Sequence, residues 1–149
     1  MDKITIRGVM LTPLKIIKHP KGDILHVMKK GDEGFSNFGE VYFSTIKYNE
    51  IKGWNRHKKM TLNLTVPFGN VLFVLFDNRE SSSTRGEYFE VSISLDNYFR
   101  LTVPPGIWMA MAGLGKEINY TLNVSSIKHD PNEKETVELS NINYNWNIY

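Results

Sequence analysis

Residues 40–127 form a succession of short apolar or alternating runs, each closed by a turn signal, with almost no trace of the 3.6-residue period of an amphipathic helix. Residues 61–66 alternate strictly, with Leu62, Leu64 and Val66 on one side and Thr61, Asn63 and Thr65 on the other. Pro67-Phe68-Gly69 breaks that run. Residues 71–76 are continuously apolar and of strand length, which suits burial on both faces. Residues 90–95 alternate again, Asp96-Asn97 turns the chain, and residues 98–103 return before Pro104-Pro105-Gly106. Residues 23–28, 40–47, 107–111 and 118–127 complete the set. Short strands spaced roughly 8–12 residues apart predict an all-β sandwich or jelly-roll barrel.

With 149 residues the chain reads as a single domain large enough to bury a proper core. A hydrophobic content of 41% excludes a disordered chain. There is no cysteine, so disulfides, thiolate nucleophiles and cysteine-based zinc sites are excluded together. That usage fits a reducing compartment, and the start of the chain carries no apolar h-region, so a cytoplasmic location is expected. No apolar run approaches the roughly 18 residues of a membrane span. Without a secretory signal, the glycosylation sequons at Asn63, Asn119 and Asn123 carry no weight. The net charge of +2 is too small to argue for nucleic acid as a partner. The Asn- and aromatic-rich residues 141–149 are expected to pack on the body or on a second subunit.

The charge is unevenly distributed. Residues 52–59 hold Lys52, Arg56, Lys58 and Lys59 together with His57, whereas residues 130–138 hold four acids against one lysine. A solvated basic turn is the plain reading of the first run. The chemical reading is a general base beside a phosphate-attracting cluster at the lip of a sheet, as an enzyme acting on a nucleotide sugar requires. Imidazole titrates near neutrality, so His57 is the candidate base.

The loop Asp77-Asn78-Arg79-Glu80-Ser81-Ser82-Ser83-Thr84-Arg85-Gly86-Glu87-Tyr88 resembles the D-x-R-x-S-S-x-T-x-G-x-aromatic loop of the dTDP-4-dehydrorhamnose 3,5-epimerase family. The strands, Asn97 turn and Pro104-Pro105-Gly106 that follow keep that family's order. Lys52-Gly53-Trp54 looks like its Arg-Gly-Leu/Phe segment, and His129-Asp130-Pro131 like its Tyr-Asn-Pro turn. The resemblance spans roughly residues 10–146. It implies a cupin jelly roll, usually a homodimer, acting on a nucleoside-diphosphate sugar without cofactor. A second resemblance links residues 52–59 to the Arg-Gly-Phe-His-Ala-His-Lys-Lys motif of the dTDP-sugar 3,4-ketoisomerases, also cupins. There His57 matches the second histidine, the one proposed as base, and Tyr42 lies near a tyrosine implicated in the same site.

The chain also departs from these patterns. The epimerase histidine falls on Asn55, its tyrosine on or beside Asn123, and the histidine after Pro-x-Gly-x-x on Met109; the aspartate paired with the base has no clear counterpart near residues 139–142. A cupin metal site would need ligands at Asn55, His57, Thr61 and Met109, and only His57 qualifies, so no metal is expected. His19, His26 and His129 show no ligand spacing and read as surface or packing residues.

The expected mechanism is enolisation of a 4-keto-6-deoxy sugar nucleotide with inversion at C3, C5 or both, as in surface polysaccharide biosynthesis. His57 would be the base, and Tyr42 or Tyr120 the acid. Lys52, Arg56, Lys58, Lys59 and Arg79 would stabilise the enolate and hold the diphosphate. Asn55 stands in the motif, and Asn63 and Asn123 are substrate contacts if their strand faces line the barrel. Trp54 reads equally as a stacking platform or as core. The alternatives are 3,4-ketoisomerisation with the same base, and a non-catalytic sugar-nucleotide-binding cupin.

Overall fold

The computed structural model describes residues 3–148. Two five-stranded antiparallel sheets pack face to face as a jelly-roll sandwich. In the first, the order is β1 (Met10–Pro13), β9 (Phe99–Val103), β6 (Leu62–Phe68), β11 (Asn119–Ser125) and β4 (Glu40–Ile46). The second runs β12 (Lys134–Thr136), β5 (Ile51–His57), β10 (Ile107–Gly113), β7 (Asn70–Asp77) and β8 (Tyr88–Ser94). A small hairpin joins β2 (Ile16–Ile17) to β3 (Ile24–Leu25). The chain is therefore all-β, as its turn spacing predicts.

Leu62, Leu64 and Val66 of β6 meet Val71, Phe73 and Leu75 of β7 and Val91 and Ile93 of β8 between the sheets. Even-numbered residues of β7 point the other way: Val74 joins Trp54, Trp108, Ala110 and Ile142 in a second cluster on the outside of the second sheet. The tail covers that cluster, with Tyr144 and Trp146 packed about Trp54. Trp54 is thus core, its indole N–H donating to the Leu139 carbonyl at 3.3 Å, and the tail packs on the body.

Two expectations need correcting. Residues 52–57 are not a turn before a strand but the body of β5; only Lys58 and Lys59 lie beyond its end. Pro67 does not end the preceding strand, which continues to Phe68.

The loop at residues 77–88 is a self-contained polar knot. Asp77 is fully buried. Its carboxylate accepts hydrogen bonds from the Arg79 guanidinium (2.9 Å), the Ser82 hydroxyl (2.6 Å), the Thr84 hydroxyl (2.6 Å) and the Arg79 backbone N–H (3.0 Å). Arg79 also donates to the Arg7 carbonyl, and the Thr84 hydroxyl accepts the Arg7 N–H, so the knot anchors the N-terminal segment. Burial alone would raise the Asp77 pKa; these donors together outweigh it and hold the carboxyl far below the ordinary carboxylate range. A depressed folded pKa contributes stability that is present above the unfolded value near 4 and lost as pH falls toward the folded one. Asp77→Asn should therefore cost about 3 kcal/mol or more in denaturant unfolding at pH 7, the scale for breaking a buried ion pair. The gap between variant and parent should narrow steadily below pH 4.

Candidate active site

Strands β4 and β5 lie in different sheets, and a cavity of about 280 Å3 lies between them. Glu40, Tyr42 and Ser44 of β4 and Asn123 of β11 line it from one sheet; Lys52, Asn55 and His57 of β5 and Met109 and Met111 of β10 line it from the other. Met60, Leu62, His129 and Lys134 complete the wall.

A β-bulge sets the polar content of β5. Met109 pairs with Asn55 and Met111 with Lys52, so Ala110 alone of β10 opposes both Gly53 and Trp54 of β5. Strict alternation would send Lys52 outward with Trp54 and Arg56. The extra residue returns Lys52 to the cavity side, where its ammonium donates to the Thr45 carbonyl of β4 at 2.6 Å. Gly53 makes the bulge possible: it sits at φ +143, and a Cβ there would lie 2.4 Å from the Ala110 Cβ.

His57 is held by Glu133, a carboxylate only 6% exposed. Glu133 Oε2 lies 2.7 Å from His57 Nδ1, while Oε1 accepts the backbone N–H groups of Lys59 at 2.6 Å and Met60 at 2.9 Å. Burial acts to raise the Glu133 pKa, but the Lys59 N–H, His57 and the Met60 N–H together bring it below the ordinary range. An ionised carboxylate only accepts, so the proton between the two groups belongs to Nδ1. In the neutral imidazole Nε2 then carries the lone pair, which is the arrangement a general base needs. On the β4 wall, burial raises the Tyr42 phenol above its usual pKa.

Five of the residues singled out in the sequence share this cavity: Tyr42, Lys52, Asn55, His57 and Asn123. The Asn55 amide oxygen accepts the Thr136 hydroxyl at 2.8 Å, and the Asn123 amide donates to the Ser44 hydroxyl at 3.1 Å. Lys58 and Lys59 lie just outside, in an adjoining groove. The others are elsewhere. Tyr120 projects from the opposite face of β11, edge-on to Phe43 and Phe68. Arg56 points outward, pairs with Glu135 at 2.6 Å and lies 4.5 Å over the Trp108 ring. Asn63 faces outward from β6; its amide donates to the Gly34 carbonyl at 3.0 Å and accepts the Thr102 hydroxyl at 2.6 Å. Arg79 is occupied by the Asp77 knot.

Glu133 and His129 were not anticipated as cavity groups. A signal for Glu133 was present: the acidic run pairs with the basic one, with Lys134 opposite His57, Glu135 opposite Arg56 and Thr136 opposite Asn55. Opposite charge in two distant runs was the mark of two neighbouring strands. Among the described residues no cluster of three or more metal-ligating side chains occurs, and no helix is long and apolar enough to cross a membrane.

The jelly roll thus carries a histidine–carboxylate pair and a phenol at one cavity between its sheets. The chain belongs to the dTDP-4-dehydrorhamnose 3,5-epimerase family, whose model matches residues 3–149. A dTDP sugar isomerase from Desulfovibrio desulfuricans is 33% identical in sequence and superposes with a TM-score of 0.93 over 98% of this chain and 95% of that one. The spore coat polysaccharide biosynthesis protein SpsL of Bacillus subtilis is 24% identical over 139 residues, 89% of this chain and 92% of the relative. A dTDP-6-deoxy-D-glucose-3,5-epimerase from Legionella pneumophila, solved with dTDP-4-keto-L-rhamnose, shares the fold at a TM-score of 0.79 over 88% of this chain and 73% of that one, with 17% identity.

Nitrogen-15 NMR should find neutral His57 as the Nδ1–H tautomer. Glu133→Ala should abolish that preference, and an Nε2–H tautomer in the parent protein would refute the assignment.

Proposed function

We propose that this protein epimerises a dTDP-4-keto-6-deoxyhexose at C3, C5 or both by base-catalysed enolisation. The observation that carries the reading is that His57 and Tyr42 approach one cavity from opposite sheets. A 4-keto group acidifies the hydrogens on its neighbouring carbons. His57 Nε2 removes one of them, leaving an enolate. Lys52, in the cavity lining, supplies positive charge to the enolate oxygen. Tyr42 returns a proton to the other face, and the centre inverts. A 3,4-ketoisomerase needs no acid on a second sheet, because a single base can carry a proton from one carbon to its neighbour on one face. A phenol on the opposite sheet therefore favours epimerisation. Asn55 and Asn123 hold the sugar hydroxyls, and surface polysaccharide assembly is the process that the relatives' roles suggest. The lack of cysteine agrees with work in the cytoplasm.

The protein works as a homodimer in this reading. Strands β4 and β11 and the end of β6 carry an apolar outer face: Phe43 is 62% exposed, Phe68 49% and Tyr120 38%, with Val41 beside them. A continuous bare face of this kind marks a partner surface, and a second copy of the chain would cover it. Phe43→Asp with Tyr120→Asp should leave a monomer by light scattering with its thermal melt preserved; a monomeric parent protein would refute the dimer.

The catalytic reading is tested by incubation with a dTDP-4-keto-6-deoxyhexose in D₂O, followed by mass spectrometry and NMR. Deuterium should enter at C3 or C5 with formation of the epimer. His57→Asn should lower exchange by roughly 10² to 10⁴, the usual worth of a general base. Tyr42→Phe should keep slow exchange but lose the inverted product. A carbonyl that migrates to C3 would make the protein a ketoisomerase, and tight binding without any exchange would make it a non-catalytic binding module.

A further inference from the structure

The two polar walls of the inner cavity differ in what they can offer a hydrogen bond. Asn123 of β11 and Ser44 of β4 line one of them, and Asn123 is buried. The Asn123 amide N–H groups are shared among the Ser44 hydroxyl at 3.1 Å, the Thr121 carbonyl at 3.2 Å and the Tyr42 carbonyl at 3.5 Å. Carbonyl oxygens only accept, so they fix which end of this amide is nitrogen. Among the described residues Asn123 Oδ1 accepts no hydrogen bond, which leaves it for the hollow. The Ser44 oxygen is taken by the Asn123 N–H, so the Ser44 hydrogen stays free to donate.

We infer that Asn123 and Ser44 together read one hydroxyl group of the sugar, the one on C2. The inference rests on the keto-sugar reading above and adds how the ring is turned and which group decides its acceptance. A hydroxyl donates and accepts at once. Its hydrogen goes to Asn123 Oδ1 while its oxygen takes the Ser44 hydrogen. A keto oxygen in the same place would set two acceptors against each other at a buried site, which is costly.

The opposite wall has the reverse polarity. Asn55 Oδ1 accepts the Thr136 hydroxyl at 2.8 Å, so its amide N–H groups are left for the hollow. The Lys52 ammonium has donors beyond the one spent on the Thr45 carbonyl. This wall suits an oxygen that only accepts, the 4-keto oxygen, and Lys52 there meets the enolate charge. With the C4 oxygen turned to β5, the C3 oxygen beside it turns the same way. The C2 oxygen is one carbon further round the ring and points across to β4 and β11. Met60, Leu62, Met109 and Met111 fill the lining between and pack on C–H groups. In a cavity with few polar groups, those few set the orientation of the ligand.

The chemistry of C2 agrees with this assignment. C2 is not a neighbour of C4, so it neither loses a proton nor carries the carbonyl. Its hydroxyl passes unchanged from substrate through enolate to product. A contact to it is uniform binding, and its loss raises KM while leaving kcat nearly constant.

The test is steady-state epimerisation and deuterium exchange by the full-length protein with a dTDP-4-keto-6-deoxyhexose and with its 2-deoxy counterpart. The parent protein should prefer the hydroxylated substrate by roughly 10- to 100-fold in kcat/KM, the worth of a buried polar group left unpaired, with the difference mostly in KM. Asn123→Leu, similar in size but without the amide, should bring the two substrates to nearly equal kcat/KM. Ser44→Ala should reduce the preference, and Ser44→Thr, which keeps a hydroxyl, should retain it. Equal turnover of both substrates by the parent protein would overturn the inference and leave the epimerase reading standing. A full preference persisting in Ser44→Ala would also overturn it, because the hydroxyl would then be read elsewhere. No exchange on either substrate would overturn both. Thermal melts show which variants are folded, and Ser44→Ala decides the matter should Asn123→Leu fail to fold.

Discussion

The carboxylate of Glu133 is the interaction on which the site depends. It joins two parts of the chain that are far apart in sequence: residues 57–60, through the His57 ring at the end of β5 and the Lys59 and Met60 N–H groups in the turn into β6, and the loop before β12 that carries Glu133 itself. Removing it would leave two backbone donors unpaired in a largely buried place and free the imidazole to turn. Burying a carboxylate is costly, and the three donors around this one offset that cost while fixing which ring nitrogen is free. The same contact thus serves packing and proton transfer.

The second constraint is the period of two along a strand. In β6 it works in the ordinary sense, with Leu62, Leu64 and Val66 inside. In β11 it is inverted: Asn119, Thr121, Asn123 and Ser125 point inward and are buried, while Tyr120, Leu122 and Val124 face out. Strand β4, its neighbour, behaves likewise, with Tyr42 directly opposite Asn123 on the inner side. Two adjacent inside-out strands have two consequences. A hollow with polar walls opens between the sheets at that edge, and an apolar surface is left outside. The cavity and the bare outer face are therefore one structural event, seen from its two sides.

Much of the fold was legible in local pattern. The alternation of residues 61–66, the apolar run 71–76 and the proline and glycine turns are short-range features, and they became β6, β7 and their connections. The polar loop from Asp77 to Tyr88 was legible as a motif, but its purpose was not. Arg79 looked available for phosphate until the buried Asp77 was seen to hold it. Arg56 was lost from the site for a similar reason, since Glu135 and Trp108 hold it on the outer face.

By itself the sequence determined the sheet-forming runs, their turns, the lack of thiol chemistry and the presence of an imidazole among cations. Only the tertiary structure decided which face of each strand looks inward. It put Asn123 in the cavity and Asn63 outside it, although both sit on the polar side of their strands. It also brought Lys52 inward through the bulge at Gly53 and set Glu133 against His57. The physical reason is that alternation fixes which residues share a face, whereas the side that face takes depends on strand pairing across tens of residues, which no local pattern carries.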